Sequence, residues 1–137
     1  MKKIVVLSLM LAVLVAFSGC NRNRSYVIFS SRAITTETAL SENSFGVGEQ
    51  INFAVLSPKG FKNPLIRIQI IKKSDKTNIM GYTIEQARDI EIDTAKNFFI
   101  NSFYIYNTGG FYFRVFGHDD FEKPIVESEF WVDKQSL

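Results

Sequence analysis

From residue 26 to residue 133 apolar and polar positions alternate in short runs broken by glycine, proline, asparagine and aspartate, and that rhythm predicts β-strands. Gln50 to Leu56 sets Ile51, Phe53 and Val55 against Asn52 and Ala54, the period of a strand with one buried face. Leu65 to Lys72 repeats it, with Ile66, Ile68 and Ile70 on one side and Arg67, Gln69 and Ile71 on the other. Phe98 to Tyr106 and Phe111 to Gly117 are aromatic-rich runs around Asn107-Thr108-Gly109-Gly110, which predicts a core hairpin whose glycines take positive φ. Tyr26 to Ser31 and Ile125 to Val132 predict the first and last strands, and Thr35 to Ser44 reads as an edge or loop. Ser57-Pro58-Lys59-Gly60 and Ser74 to Asn78 predict turns. Ile79 to Ile84 reads as a short returning strand. Thr83-Ile84-Glu85-Gln86 then has the order of a capping box, which allows a helical turn through Arg88, while the alternation of Ile90-Glu91-Ile92-Asp93 cuts any helix short.

About seven short strands with turns between them and almost no helix predict an all-β, antiparallel sandwich. Val47-Gly48-Glu49-Gln50-Ile51-Asn52-Phe53 and Gly109-Gly110-Phe111-Tyr112-Phe113 resemble the strand entries of bacterial immunoglobulin-like and fibronectin-like domains. The resemblance spans residues 26 to 133 and implies an immunoglobulin-like sandwich. A single cysteine removes the disulfide pair of antibody domains. Two phases are open to the Phe111 run: turning Tyr112 inward would also turn Arg114 into the core. Burying an unpaired guanidinium is costly, so Phe111, Phe113 and Val115 are expected inside.

The chain before this pattern has a different logic. Met1-Lys2-Lys3 is basic, and Ile4 to Phe17 is apolar except for Ser8, the form of a secretory signal too short to span a bilayer comfortably. Phe17-Ser18-Gly19-Cys20 resembles the lipobox of bacterial lipoproteins, with Phe17 where leucine is usual. That resemblance implies cleavage between Gly19 and Cys20, acylation of Cys20, and a membrane anchor of more than one acyl chain. Ala16-Phe17-Ser18 also has small residues three and one before Gly19, so ordinary cleavage leaving a free Cys20 is the rival reading. Acylation is the stronger one, because an unpaired thiol is a liability in an oxidising compartment. The expected organisation is a lipoprotein signal peptide over 1–19, an acylated cysteine and short tether over 20–25, and the sandwich over 26–137. Asn21, in place of the aspartate that retains lipoproteins in the inner membrane of enterobacteria, points to the outer membrane of the cell envelope.

Charge changes little in this picture. The formal +2 of the 137 residues equals the contribution of Lys2 and Lys3, so the body is neutral and nucleic acid is not an expected partner. His118 is the sole histidine and Cys20 the sole cysteine, and no catalytic triad, phosphate-cradling loop or zinc ligand set can be assembled around them. The chain therefore reads as non-enzymatic, with no cofactor and no metal. His118-Asp119-Asp120 with Glu122 has carboxylates for a divalent cation, yet the same residues are expected of a solvated loop.

With the inward phase fixed, three neighbouring strands turn outward Arg67, Gln69 and Ile71; Tyr112, Arg114 and Phe116; and Ile125, Glu127, Glu129 and Trp131. Arg67, Tyr112, Arg114, Phe116 and Trp131 make a candidate surface for a protein or glycan partner. The competing reading is a cross-strand ladder of Arg114 with Glu127 or Glu129, its aromatics packed across it and the 79–93 segment covering it. The function these residues favour is a membrane-anchored binding or assembly module of the envelope. A small envelope inhibitor of a peptidase or lysozyme is the alternative, since Asn107-Thr108-Gly109-Gly110 resembles a fragment of the loops of chagasin-like inhibitors.

Overall fold

The computed structural model describes residues 24–35, 40–73 and 82–134. The expected signal peptide, Cys20, and the 74–78 turn lie outside the described residues. Among the described residues there are eight strands: β1 (Tyr26–Ser30), β2 (Ser44–Gly46), β3 (Gln50–Leu56), β4 (Leu65–Lys73), β5 (Tyr82–Glu91), β6 (Phe98–Tyr104), β7 (Gly109–Gly117) and β8 (Val126–Asp133). They form two sheets, a three-stranded β1-β3-β6 and a five-stranded β2-β8-β7-β4-β5.

Period-two patterning carried the two sheets to face each other. Ile51, Phe53 and Val55 of β3 are fully buried, as are Phe111, Phe113 and Val115 of β7, which is the phase that keeps Arg114 out of the core. Five phenylalanines close the centre from both sides. Phe113 meets Phe53 at 4.9 Å and Phe29 at 5.1 Å, while Phe103 lies 5.9 Å from Phe113 and 5.4 Å from Phe130 between ring centroids. These spacings are those of favourable aromatic pairs.

Two expectations are corrected. β6 and β7 are not a hairpin: β6 pairs with β3, whereas β7 lies between β4 and β8. A hairpin around 107–110 would pair Tyr106 with Phe111 and so set Phe103 opposite Arg114, on the other face from Phe113; placing the strands in opposite sheets lets the two rings stack across the interface, interplanar angle 22°. The connection keeps one positive-φ glycine, Gly109 at 138°, which a residue with a Cβ adopts only with strain. The second correction concerns Thr83-Ile84-Glu85-Gln86, which is extended within β5 rather than helical. Pairing β5 to β4 from Leu65↔Glu91 to Lys73↔Tyr82 satisfies the outer backbone groups of β4, and a bulge at Ile70/Ile71 absorbs the register change. The segment thus widens the sheet instead of covering it.

The short β2, absent from the sequence reading, carries the chain between sheets. Glu42 N donates to Phe29 O of β1 at 2.8 Å, Trp131 N of β8 donates to Asn43 O at 2.8 Å, and β2 then runs parallel to β8. On the opposite side, β5 reaches β6 through side chains: Gln86 Nε2 donates to Tyr104 O at 2.6 Å and Arg88 Nη2 to Ser102 O at 2.8 Å. The N terminus enters at one pole, where Ser25 Oγ donates to Ser57 Oγ at 3.1 Å and Ser57 N to Asn97 O at 2.7 Å. That pole also carries the 57–64, 92–97 and 118–125 connections.

Candidate functional site

The outer face of the five-stranded sheet brings together the strands expected to be neighbours, and its side chains sort into two clusters joined by one ion pair. At the N-terminal pole, β5 sets Asp89 directly opposite Arg67. Arg67 Nε donates to Asp89 Oδ1 at 2.8 Å and Nη2 to Oδ2 at 3.2 Å, a bidentate pair. The guanidinium also stacks 4.8 Å from the Phe121 ring, against whose other neighbour, His118, the ring centroids lie 5.0 Å apart. His118 Nε2 approaches Asp89 Oδ1 to 3.1 Å without the alignment of a hydrogen bond. Arg67 first, and then His118, hold the Asp89 carboxyl down to about 2 from an ordinary 3.8, and Asp89 in turn raises the guanidinium.

Those shifts give a pH signature. Folding favours ionised Asp89, so its contribution is complete above about pH 4 and is lost as pH falls through about 2. The Asp89→Asn domain should therefore melt slightly below wild type at neutral pH, with the gap closing in acid melts; the gap is small because the carboxylate is solvent-screened. A gap of constant size down to pH 2 would mean that Asp89 does no such work.

The middle of the face is the ion pair of the ladder reading. Arg114 Nε donates to Glu127 Oε2 at 2.9 Å across β7 and β8. Phe116, expected as an outward contact residue, is only 7% exposed and shares a cleft with Phe121 and Pro124 of the following loop. Ile71 is 5% exposed, and Ile125, just ahead of β8, packs against the core. Leaving three large apolar side chains in water would cost more than covering them. Phe116, Ile71 and Ile125 therefore leave the candidate surface.

The second cluster lies at the distal end. Lys73, the last residue of β4, sits 4.7 Å from the Tyr112 ring and 4.6 Å from the Trp131 ring, and its Nζ donates to Glu129 Oε2 at 2.7 Å. Trp131 is 47% exposed, yet its inner side is fixed: a Cβ added to Gly110, its register partner, would lie 2.5 Å from the ring. Only a glycine lets the indole lie this close to the β7 backbone. The result is an indole and a phenol that share one cation lying over their rings.

Alternation places Arg67, Tyr112, Arg114 and Trp131 on this face, whereas Lys73, Asp89, Gly110 and Phe121 join it only in the fold. Lys73 follows from extending the Arg67-Gln69-Ile71 alternation by one more step. Asp89 had no such signal, because only the β4–β5 register puts it against Arg67.

The other candidates resolve into turn structure. Asp120 Oδ1 accepts from Glu122 N at 2.9 Å and Lys123 N at 3.2 Å, so its carboxylate organises the loop. Among the described residues, no three or more of His, Cys, Asp and Glu are placed to hold a metal. Asn107 Nδ2 donates to Glu85 Oε1 at 2.7 Å, which ties the inhibitor-like loop to β5. A cleft at the N-terminal pole is lined by Lys59, Lys62, Lys123, Asp119 and Asp120, a mixed and open lining unlike the enclosed apolar sites that hold small ligands.

No protein-family model and no curated protein matches the chain. Among solved structures, an immunoglobulin-like protein from Pseudomonas aeruginosa matches with a TM-score of 0.50 at 10% identity, over 82% of this chain and 95% of that one. The fold is immunoglobulin-like. The soluble domain of PmoD from Methylocystis sp. matches with a TM-score of 0.49 at 13% identity, over 81% of this chain and 92% of that one. At 10% identity the Pseudomonas likeness speaks to the fold alone and leaves the function to the site.

Proposed function

We propose that the chain is a non-catalytic binding module of the bacterial envelope, anchored in the outer membrane through an acylated Cys20, that presents Trp131 to a protein or glycan partner. The observation that carries this reading is the Trp131 platform: a half-exposed indole packed against Gly110, with the Lys73 ammonium over both its ring and that of Tyr112. A large aromatic that loses little freedom on contact is the residue type that dominates binding energy. The platform also stands away from the anchor. From Val126 to Trp131 β8 advances about 17 Å from the N-terminal pole, at about 3.3 Å per residue.

The test uses the full chain as bait in envelope extracts. Trp131→Ala should weaken capture of the partner about 30-fold, the effect of a hot spot worth about 2 kcal/mol. Arg114→Ala, whose side chain is engaged with Glu127, should change it less than threefold, roughly the range of an exposed ion pair. Capture indifferent to Trp131→Ala overturns the platform, and an intact mass showing an unmodified chain beginning at Gly19 overturns the anchor. If the captured partner is a peptidase or a lysozyme, the module is an inhibitor.

A further inference from the structure

The three-stranded sheet has its own outward face, and its composition changes along the strands. Register aligns Tyr26, Leu56 and Phe98 in one row, and Ile28, Ala54 and Ile100 in the next. Beyond these come Ser30, Asn52 and Ser102. The first two rows are apolar throughout and the third is polar. Tyr26, Phe98 and Ile100 are 48%, 45% and 47% exposed, large side chains at adjacent positions with no layer over them among the described residues.

The apolar rows occupy the pole where the chain enters. Tyr26 follows Arg24 and Ser25 directly, and the residues before Arg24 include Cys20. Arg24, Lys59, Lys62 and Lys96, in the entering segment and in the two connections that link the sheets at this pole, are all exposed. Asp93 is the carboxylate in the same connections, and its Oδ1 accepts from Ala95 N at 2.9 Å. Lys59 and Lys62 share the polar cleft with Asp119, Asp120 and Lys123, so Arg24 and Lys96 are the cations of these segments outside that cleft. An aromatic and aliphatic patch at a pole that also exposes cations has the composition of an interfacial membrane contact: the apolar side chains enter the headgroup boundary while lysine and arginine meet anionic lipid.

We propose that the outer face of β1-β3-β6, through Tyr26, Ile28, Phe98 and Ile100, docks on an anionic phospholipid surface. This rests on the anchored reading above, since a tether of five residues from Asn21 to Ser25 holds this pole against the bilayer. The chain is then held at two points, by its acyl group and by its sheet face. Because the two sheets pack back to back, docking of the smaller one turns the Trp131 face of the larger one away from the lipid.

The full chain carrying Ile100→Cys, produced in bacteria and purified from membranes, is labelled at the new thiol with an environment-sensitive fluorophore. It is then reconstituted in vesicles of phosphatidylethanolamine and phosphatidylglycerol. Ser102→Cys, one row further along the same face, is the control, and the Trp131 emission of each variant verifies that it is folded. Docking predicts blue-shifted emission and protection from aqueous iodide at position 100 and water-like emission at 102, with the protection at 100 reduced in phosphatidylcholine vesicles. Water-like emission at both positions overturns the proposal. So does protection at 100 that appears only with crosslinking between copies, which would make a second chain the occupant, or protection that persists without vesicles. Intact mass reports separately on the anchor. If Cys20 carries no acyl chain, the Ile100→Cys protein with Cys20→Ser added is mixed with preformed vesicles: binding to the anionic ones alone upholds the docking face without the anchor, and no binding removes both.

Discussion

Replacing Phe113 by alanine should lower the melting temperature of the domain by about 15–25 °C. Phe113 is fully buried and touches Phe29, Phe53 and Phe103 from the opposite sheet, so its loss opens a cavity where the two sheets meet. Removing a buried phenylalanine costs about 3–5 kcal/mol in transfer and cavity terms. For a domain of this size each kcal/mol displaces the midpoint by several degrees, which gives the range above. A domain is stable by only about 5–15 kcal/mol, so the variant approaches the threshold of folding. Phe113→Leu refills part of the cavity and should lose less than half as much. Circular-dichroism melts of the three proteins check this, and a drop under about 5 °C for Phe113→Ala would show that the centre is loosely packed. Arg114→Ala, its chain neighbour on the other face, supplies the contrast, because an exposed ion pair contributes less than about 1 kcal/mol.

Gly110→Ala should have the second-largest effect and a more specific one. The added methyl would stand 2.5 Å from Cζ3 and 2.8 Å from Cη2 of Trp131, closer than any side-chain contact allows. An indole is rigid, so either the ring leaves its platform or the β7 backbone moves. Overpacking of this kind costs about 1–3 kcal/mol. Trp131 is the only tryptophan in the chain, so its fluorescence reports the outcome directly. The emission of Gly110→Ala should shift to the red as the ring swings into water, and partner capture should fall with it. The double variant Gly110→Ala, Trp131→Ala should be no less stable than Trp131→Ala alone, because the clash has gone. If Gly110→Ala leaves both emission and stability unchanged, the ring does not rest where the structure puts it.

Periodicity made the inner layer legible. Ile51, Phe53, Val55, Ile66, Ile68, Ile70, Phe111, Phe113 and Val115 all follow from alternation, and the choice between two phases at Tyr112 was settled by the cost of an unpaired Arg114 in the core. Strand pairing was less legible, because it is decided by contacts far apart in the chain. Phe98-Phe99-Ile100 is apolar on both faces, so alternation alone could not reveal that Phe99 faces the core while Phe98 and Ile100 face out. The glycines at 109 and 110 read equally well as a tight hairpin and as a crossing between sheets, and stacking of Phe103 on Phe113 selects the crossing. At the candidate site, residue types were readable and partners were not. Arg67 was expected to face outward, and it does, but its aspartate sits 22 residues away, where no local pattern ties the two together.

The side chains that join β5 to β6 have a bearing on how many copies of this domain can share a surface. An edge strand with free amides and carbonyls is a template on which another chain can add a strand, and a protein held at a membrane meets its copies at high local concentration. Gln86 and Arg88 occupy the Tyr104 and Ser102 carbonyls on the open side of β6, while Ser41 and Glu42 occupy the Phe29 amide and carbonyl on the open side of β1. A newcomer pairing at these residues would have to displace these groups first. Each flank of the smaller sheet is thereby blunted against strand addition at Phe29 and at Ser102 and Tyr104.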